Sequence, residues 1–494
     1  MSAFTVGVDI GTTGTKTVLF DAGGGIVAQS TRASALYSDH PGWAEADPQQ
    51  WLVNVVDSIT EVVAAAKISP REVKAIATTG MVPAVIPIDA AGQPLRRAIL
   101  QNDARATAQI RALAERLAAI DLVALTGAAL TQQSVAPTVL WLDENEAETV
   151  RRTAYYVGSY DWILIALGAR PHVEKNWALE SGLFTIAGDP VEAVLDEAHI
   201  EPAVLPRVLG SGEVAGGLSE AMAQATGLHA GTPLIVGGAD HVLSAFAAGV
   251  EQHGEWLVKL GGAGDILVAT DEPVIDSRLY LDAHPIPGRW LPNGCMATSG
   301  SLIRWFQGLI GGEDLMALDR EAQDRRPAEV LCLPYFLGEK SPLHDPDLRG
   351  VYAGLHLGTT RADMYRSTLE AIAFGFRHHV EVFADLGIDL GRVSVTNGGS
   401  KSTLWKQIHA EVLGVEMYPV VDHPGASLGA ALIAAVGIGA LTGWDECSRF
   451  ATLGEPVLPD PRNVAVYDAA YREWRALSAA TADISHSIAE RTRQ

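Results

Sequence analysis

Val6-Gly7-Val8-Asp9-Ile10-Gly11-Thr12-Thr13-Gly14-Thr15-Lys16-Thr17-Val18-Leu19-Phe20-Asp21 reads as two apolar strands joined by a turn of glycines and threonine hydroxyls. Asp9 sits near the end of the first strand and Lys16 at the start of the second. Glycines let backbone N–H groups converge, hydroxyls add donors and the lysine adds positive charge, a combination that suits phosphate. A carboxylate beside phosphate is a poor neighbour unless a cation lies between them, and Mg2+ takes one or two carboxylates together with phosphate and water. The segment points to a magnesium-nucleotide site; an ordinary hairpin is the plainer reading. It is not a Walker A loop, because Lys16 lies inside the second strand and no helical pattern follows.

About half a chain later the pattern returns in Gly254-Glu255-Trp256-Leu257-Val258-Lys259-Leu260-Gly261-Gly262-Ala263-Gly264-Asp265-Ile266-Leu267-Val268. Two such hairpins imply two similar domains, each offering a phosphate-holding turn to a cleft between them. A length of 494 residues agrees, since single cores stop growing well below that size.

Composition narrows the partners. A net charge of -23 repels a nucleic-acid backbone, while ATP remains open to local donors and a metal. Cys295, Cys332 and Cys447 are widely spaced and odd in number, which speaks against a disulfide scaffold. No apolar run is long enough to span a bilayer and the first residues carry no signal pattern, so a cytoplasmic protein without a membrane partner is expected.

Between the hairpins, Trp51, Val55, Val56, Ile59, Val62 and Val63 have helical spacing. Residues 73–79 read as a buried strand and 84–89 as its neighbour. Helices are expected over 106–122, within 150–167, and over 242–249, 301–310, 361–383, 403–413 and 426–436. Residues 233–239 form a strongly apolar strand that delivers Asp240 at its end, where open α/β sheets expose ligand-binding groups. Phosphoryl transfer to an alcohol needs a base for the acceptor proton, and Asp240 can supply it; an N-cap of the next helix is the alternative. Asp103 and Arg105 could hydrogen-bond a polyol or form an internal ion pair. His241, His284, His344, His409 and His423 show no compact zinc-ligand spacing. Trp141, Trp162 and Trp177 could line a pocket or fill a core.

Taken in order, these blocks, together with Pro41-Gly42-Trp43-Ala44-Glu45-Ala46-Asp47-Pro48, Leu333-Pro334-Tyr335-Phe336-Leu337-Gly338-Glu339-Lys340-Ser341-Pro342 and Asn397-Gly398-Gly399-Ser400-Lys401-Ser402, resemble the FGGY family of carbohydrate kinases across almost the whole chain. The resemblance implies an α/β fold of two ribonuclease-H-like domains of the actin and hexokinase type, over residues 1–245 and 246–494. The first would hold mainly sugar and the second mainly ATP. Asp240 matches the family's catalytic base, and Asp9 with Asp240 would face Mg2+. Gly11, Thr12, Thr13, Gly14 and Lys16 match the phosphate hairpin, Gly261, Gly262, Ala263 and Gly264 the opposed turn, and Gly398, Gly399, Ser400 and Lys401 the adenosine side. Met81, Val82, Pro83, Asp103, Arg105, Asp240 and His241 match the sugar side.

Within the family the similarity is greatest to the kinases of ketopentoses, with D-xylulose the leading acceptor. Val82 and Pro83 depart from them by standing where Met and His are usual, and His241 stands where an amide is more usual. These changes leave room for another ketose, for glycerol or a tetritol, or for an ATP-dependent binding protein without catalysis. A homodimer is the assembly the resemblance implies.

Overall fold

The computed structural model describes residues 3–422 and 424–493, so His423 lies outside it. In the first half the strands are β1 (Phe4–Gly11), β2 (Gly14–Asp21), β3 (Gly25–Ala33), β4 (Val73–Gly80), β5 (Val214–Gly217) and β6 (Pro233–Ala239). They form one sheet in the order β5-β6-β4-β1-β2-β3. The hairpin β1–β2 and its neighbour β3 are antiparallel, whereas β4 and β6 run parallel to β1.

The second half repeats the plan with β7 (Trp256–Leu260), β8 (Gly264–Val268), β9 (Tyr280–Ala283), β10 (Trp290–Met296), β11 (Val393–Thr396) and β12 (Met417–Pro419). Their order is β9-β10-β8-β7-β11-β12, again an antiparallel hairpin flanked on one side by parallel strands. The repeated hairpin read in the sequence is thus the centre of each sheet.

Strand alternation decides which residues meet the other half. Val6, Val8 and Ile10 enter the core on one face of β1, leaving Thr5, Gly7 and Asp9 on the other. In β7, Trp256, Val258 and Leu260 join the second core, whereas Leu257, with Leu267 and Ala269, joins the core of the first half. Lys259 and its register partner Asp265 share that inward face.

Helices fill the space on both sides. The helix α1 (Pro48–Ala66) begins at the Asp47 N-cap and buries Trp51, Val55, Ile59 and Val62 against the first sheet, as its spacing predicts. Two helices cross between the sheets: α2 (Asp240–Ala247), which follows β6, and α4 (Ala426–Gly437), which follows β12; α3 (Arg361–Asp385) is the long core helix of the second half. Although α4 comes late in the chain, it packs on β1, and Thr5 donates to the Ala431 carbonyl at 2.8 Å. Gly7 makes this possible, because a Cβ there would overlap the backbone of Ser427 and Ala431. At the crossing of α2 and α4, a Cβ on Gly429 would lie 2.5 Å from the Leu243 carbonyl.

Several local expectations change. The strand expected at 84–89 is shorter, Ile86–Ile88, and pairs with Tyr155–Val157 rather than joining the main sheet. That pairing interrupts the helical material of 150–167, which resolves into Ala147–Arg152 and Ser159–Leu167. The helix expected over 106–122 is Thr107–Arg116, followed by Leu122–Thr126. Trp162 and Trp177 are core residues, while Trp141 stays partly exposed beside Arg105. No helix among the described residues is long and apolar enough to cross a membrane.

Candidate active site

Register places the first group of side chains. Asp9 lies opposite Thr79, Ile10 opposite Gly80, and Gly80 opposite Ala239, so the carboxyl ends of β1, β4 and β6 line up. Asp9, Met81 and Asp240 therefore share one edge of the sheet, the edge at which parallel α/β sheets bind ligands. Asp240 is the first residue of α2, one position past the N-cap, which is Ala239. The N-cap alternative for Asp240 is thus set aside by the helix boundary.

Asp9 is unusual in its electrostatics. Its Oδ1 is shut off from solvent with no hydrogen-bond partner among the described residues. Burial first, then the charge of Asp240, pushes its pKa up to about 7 against the opposing pull of Lys259 and Lys16. Lys16 donates to the Pro424 carbonyl at 2.7 Å, just before α4. Thr12 lies beside Met81, with its Oγ1 4.0 Å from the sulfur, and Thr13 is exposed at the turn.

Asp240 is held in its charged form. Burial works against ionisation, but His241 and Lys259 outweigh it and keep the carboxyl below the usual carboxylate range. His241 places Nδ1 3.5 Å from Asp240 and Nε2 2.7 Å from Asp282 on β9. Burial lowers the imidazole pKa, yet Asp282, Asp240 and Glu180 together carry it well above its ordinary value. Asp282 accepts a second bond from Asn293 at 2.8 Å. Glu180, His241 and Asp282 are close enough to hold a metal ion, the one such group found among the described residues. Sequence spacing concealed it, because its members come from three distant segments. His284 and His409 instead donate to the backbone carbonyls of Val250 and Trp405, and burial lowers both to about 4.

The proposed sugar-side residues divide. Met81, Val82 and Pro83 are buried directly after β4, with Ser159 donating to the Met81 carbonyl at 3.0 Å. Asp103 and Arg105 face each other at 2.8 Å, and Arg105 also reaches Glu45 at 2.7 Å while its guanidinium stacks 3.8 Å over Trp43. Asp103 further accepts the Ala44 N–H at 2.6 Å. These contacts match the internal ion pair, and Arg105 Nη1 is the nitrogen left without a partner among the described residues.

In the second half, a cavity of about 1010 Å3 is lined by Gly261, Gly262, Arg304, Tyr365, Gly398, Gly399, Lys401 and Trp405, among others. Its volume is at the upper end of small-molecule sites. Gly399 shapes one wall, since a Cβ there would overlap the Trp405 ring. Of the residues read as nucleotide-binding, Gly11, Thr12, Thr13, Gly14 and Lys16 of the first hairpin do not line it, nor do Ala263, Gly264 and Ser400. Gly264 lies too close to Phe376 for a side chain, and the Ser400 hydroxyl donates to the Asn397 carbonyl at 2.6 Å. The sequence reading missed Lys259, Glu180 and Asp282. Only Lys259 had a signal, since the second hairpin puts it where the first carries Asp9.

A nucleotide-sized cavity beside one hairpin, and two carboxylates at strand ends beside the other, are an arrangement suited to phosphoryl transfer. The family model for the N-terminal domain of the FGGY family of carbohydrate kinases matches residues 4–247, and that for the C-terminal domain matches residues 258–438. The chain belongs to the FGGY family of carbohydrate kinases. It is a carbohydrate kinase, an enzyme that phosphorylates a sugar, and ATP is the substrate its family implies. It is 27% identical over 488 residues to a xylulose kinase of Staphylococcus epidermidis, covering 96% of this chain and 97% of that one. It is also 24% identical to a gluconokinase of Bacillus subtilis, covering 91% and 90%. Among solved structures, xylulose kinase from Rhodospirillum rubrum superimposes with a TM-score of 0.90 at 39% identity, covering 97% of this chain and 99% of that one.

Proposed function

We propose that the protein transfers the γ-phosphoryl group of ATP to a ketose, with D-xylulose as acceptor and D-xylulose 5-phosphate and ADP as products. The observation that carries this reading is the placement of Asp9 and Asp240 on one sheet edge, facing the hairpin that borders the nucleotide cavity. The names of the similar xylulose kinases support the choice of acceptor.

Asp240 is the base. Held charged by His241 and Lys259, it takes the proton of the acceptor hydroxyl as that oxygen bonds to phosphorus and the bond to the β-phosphate oxygen breaks. The first hairpin, through Gly11, Thr12, Thr13, Gly14 and Lys16, meets the phosphates from one side and Gly261 with Gly262 from the other. Gly398, Gly399 and Lys401 border the adenosine end. Met81, Val82 and Pro83 form an apolar wall of the acceptor pocket, while Asp103 and Arg105 stiffen the segment behind it.

A divalent cation fits the unpartnered, buried Asp9 Oδ1, and Asp9 with Asp240 would hold Mg2+. When bound, the ion would neutralise phosphate charge and orient the transferred group.

Replacing Asp240 by Asn keeps the shape and removes the base. Sugar phosphorylation should fall by roughly 1000-fold with ATP binding retained, followed by direct detection of ADP and phosphosugar. Undiminished turnover in Asp240→Asn would sink the assignment.

A further inference from the structure

We infer that Lys259 is a further catalytic residue, an ammonium that contacts the γ-phosphoryl group of ATP from the second-half hairpin; this rests on the phosphotransfer reading above. The argument is geometric. Lys259 lies on the face of β7 that also carries Leu257, and Leu257 packs into the core of the first half, so the lysine projects toward the cleft. The residues immediately after it, Leu260, Gly261 and Gly262, line the nucleotide cavity. Its Nζ lies 3.2 Å from Asp265 across the hairpin, and its charge also reaches Asp240 and Asp9 on the opposite sheet. One ammonium thus stands among three carboxylates, at the junction of the cavity and the catalytic edge.

That position has a chemical consequence. The terminal phosphate of ATP must approach Asp9 and Asp240, which repel it. Lys16 offsets part of this but is tied to the Pro424 carbonyl. Lys259 offers a fixed positive charge from the other side, in a site where removal of one such donor costs roughly 100-fold in rate. During transfer it donates hydrogen bonds to phosphoryl oxygens and keeps its own protons; the acceptor proton still goes to Asp240, and the departing ADP oxygen carries the released charge.

Nucleotide discrimination tests the assignment. Binding of ADP and of the β,γ-imido analogue of ATP is measured by calorimetry on the full chain with Mg2+, for wild type, Lys259→Met and Lys259→Arg. Removing Lys259 should weaken the triphosphate analogue by at least about 10-fold while ADP changes by less than about 2-fold, and should lower kcat by roughly 100-fold. Lys259→Arg should recover most of the triphosphate preference. Because Lys259→Met leaves Asp265 without its partner, the double variant Lys259→Met with Asp265→Leu removes both charges and guards against misfolding; the same loss is expected of it. Equal weakening of both nucleotides, or none, in the folded variants would overturn the role. A wild type that binds ATP in this way but phosphorylates no sugar would instead refute the acceptor reading and leave Lys259 standing.

Discussion

The two hairpins inside the two sheets have the same topology and the reverse order of charge. In the first, Asp9 on the leading strand faces Lys16; in the second, Lys259 on the leading strand faces Asp265. The second pair is closed, at 3.2 Å. In the first pair, Lys16 turns to Pro424 and leaves a carboxylate oxygen of Asp9 buried and, among the described residues, unpartnered. An ammonium carries three donors, so Lys259 keeps others beyond the one facing Asp265, whereas a buried carboxylate oxygen without a partner calls for a cation or donor. The following helices differ in the same sense: α2 begins with Asp240, and its counterpart α4 begins with Ala426. The two halves share one frame and differ within it where Asp9 and Lys16 correspond to Lys259 and Asp265, and where Asp240 corresponds to Ala426.

This asymmetry can be broken most severely at Asp9. Asp9→Asn should keep the fold, because it removes a charge that burial disfavours, yet reduce phosphorylation by roughly 1000-fold and shift its dependence on Mg2+ to higher concentrations. Steady-state kinetics across a magnesium series would show it, and wild-type magnesium dependence in the variant would contradict the proposed contact.

Making the hairpins more alike gives the next largest effect. Gly7→Leu installs in β1 the residue that β7 carries at Leu257, and the new side chain would collide with α4 at Ser427 and Ala431. A loss of about 3 kcal/mol or more in urea unfolding is expected, since rigid backbone must move. Little change would mean that α4 is not seated on β1.

The acidic side of the seam yields a pH test. Glu174, buried and bonded by Tyr160 at 2.9 Å, has its pKa pushed up to about 8, chiefly by burial. The folded protein therefore keeps a proton that the unfolded chain loses near its ordinary value, so this group makes stability fall as pH rises from about 4.5 to about 8. Glu174→Gln should flatten the decline of Tm over that window, by differential scanning fluorimetry. An unchanged slope would assign the titration elsewhere.

The smallest effect belongs to Lys401. It borders the cavity but is exposed, so screening weakens its charge. Lys401→Ala should raise KM for ATP by less than about 3-fold, and a much larger rise would promote it from rim to anchor.

Local rules sufficed wherever one segment held the whole signal. Alternation and glycines located both hairpins, helical spacing located α1, and a strand followed by Asp240 located the sheet edge that Asp240 shares with Asp9. They failed where the signal was divided. Residues 150–167 keep helical character on either side of Tyr155–Val157, which becomes a strand because Ile86–Ile88 offers it a partner. Glu180, His241 and Asp282 are far apart in the chain; Asn176 ties the helix of Glu180 to the strand of Asp282 by accepting the Ala283 N–H at 2.6 Å, and His241 joins them from the start of α2. Asp103 and Arg105 were legible as a pair, but their partners Glu45 and Trp43 came from folding.

By itself, the order of residues determined two sheets, two phosphate-type turns and an acid at a strand end, since φ freedom, side-chain period and chain direction are local properties. Tertiary structure alone decided that α4 would close on the first sheet, that among the described residues Asp9 Oδ1 would lack a partner while Lys259 kept one, and that three distant polar groups would converge beside Asp240. Those outcomes depend on burial and on charges brought together from separated segments, and neither quantity exists until the chain has packed.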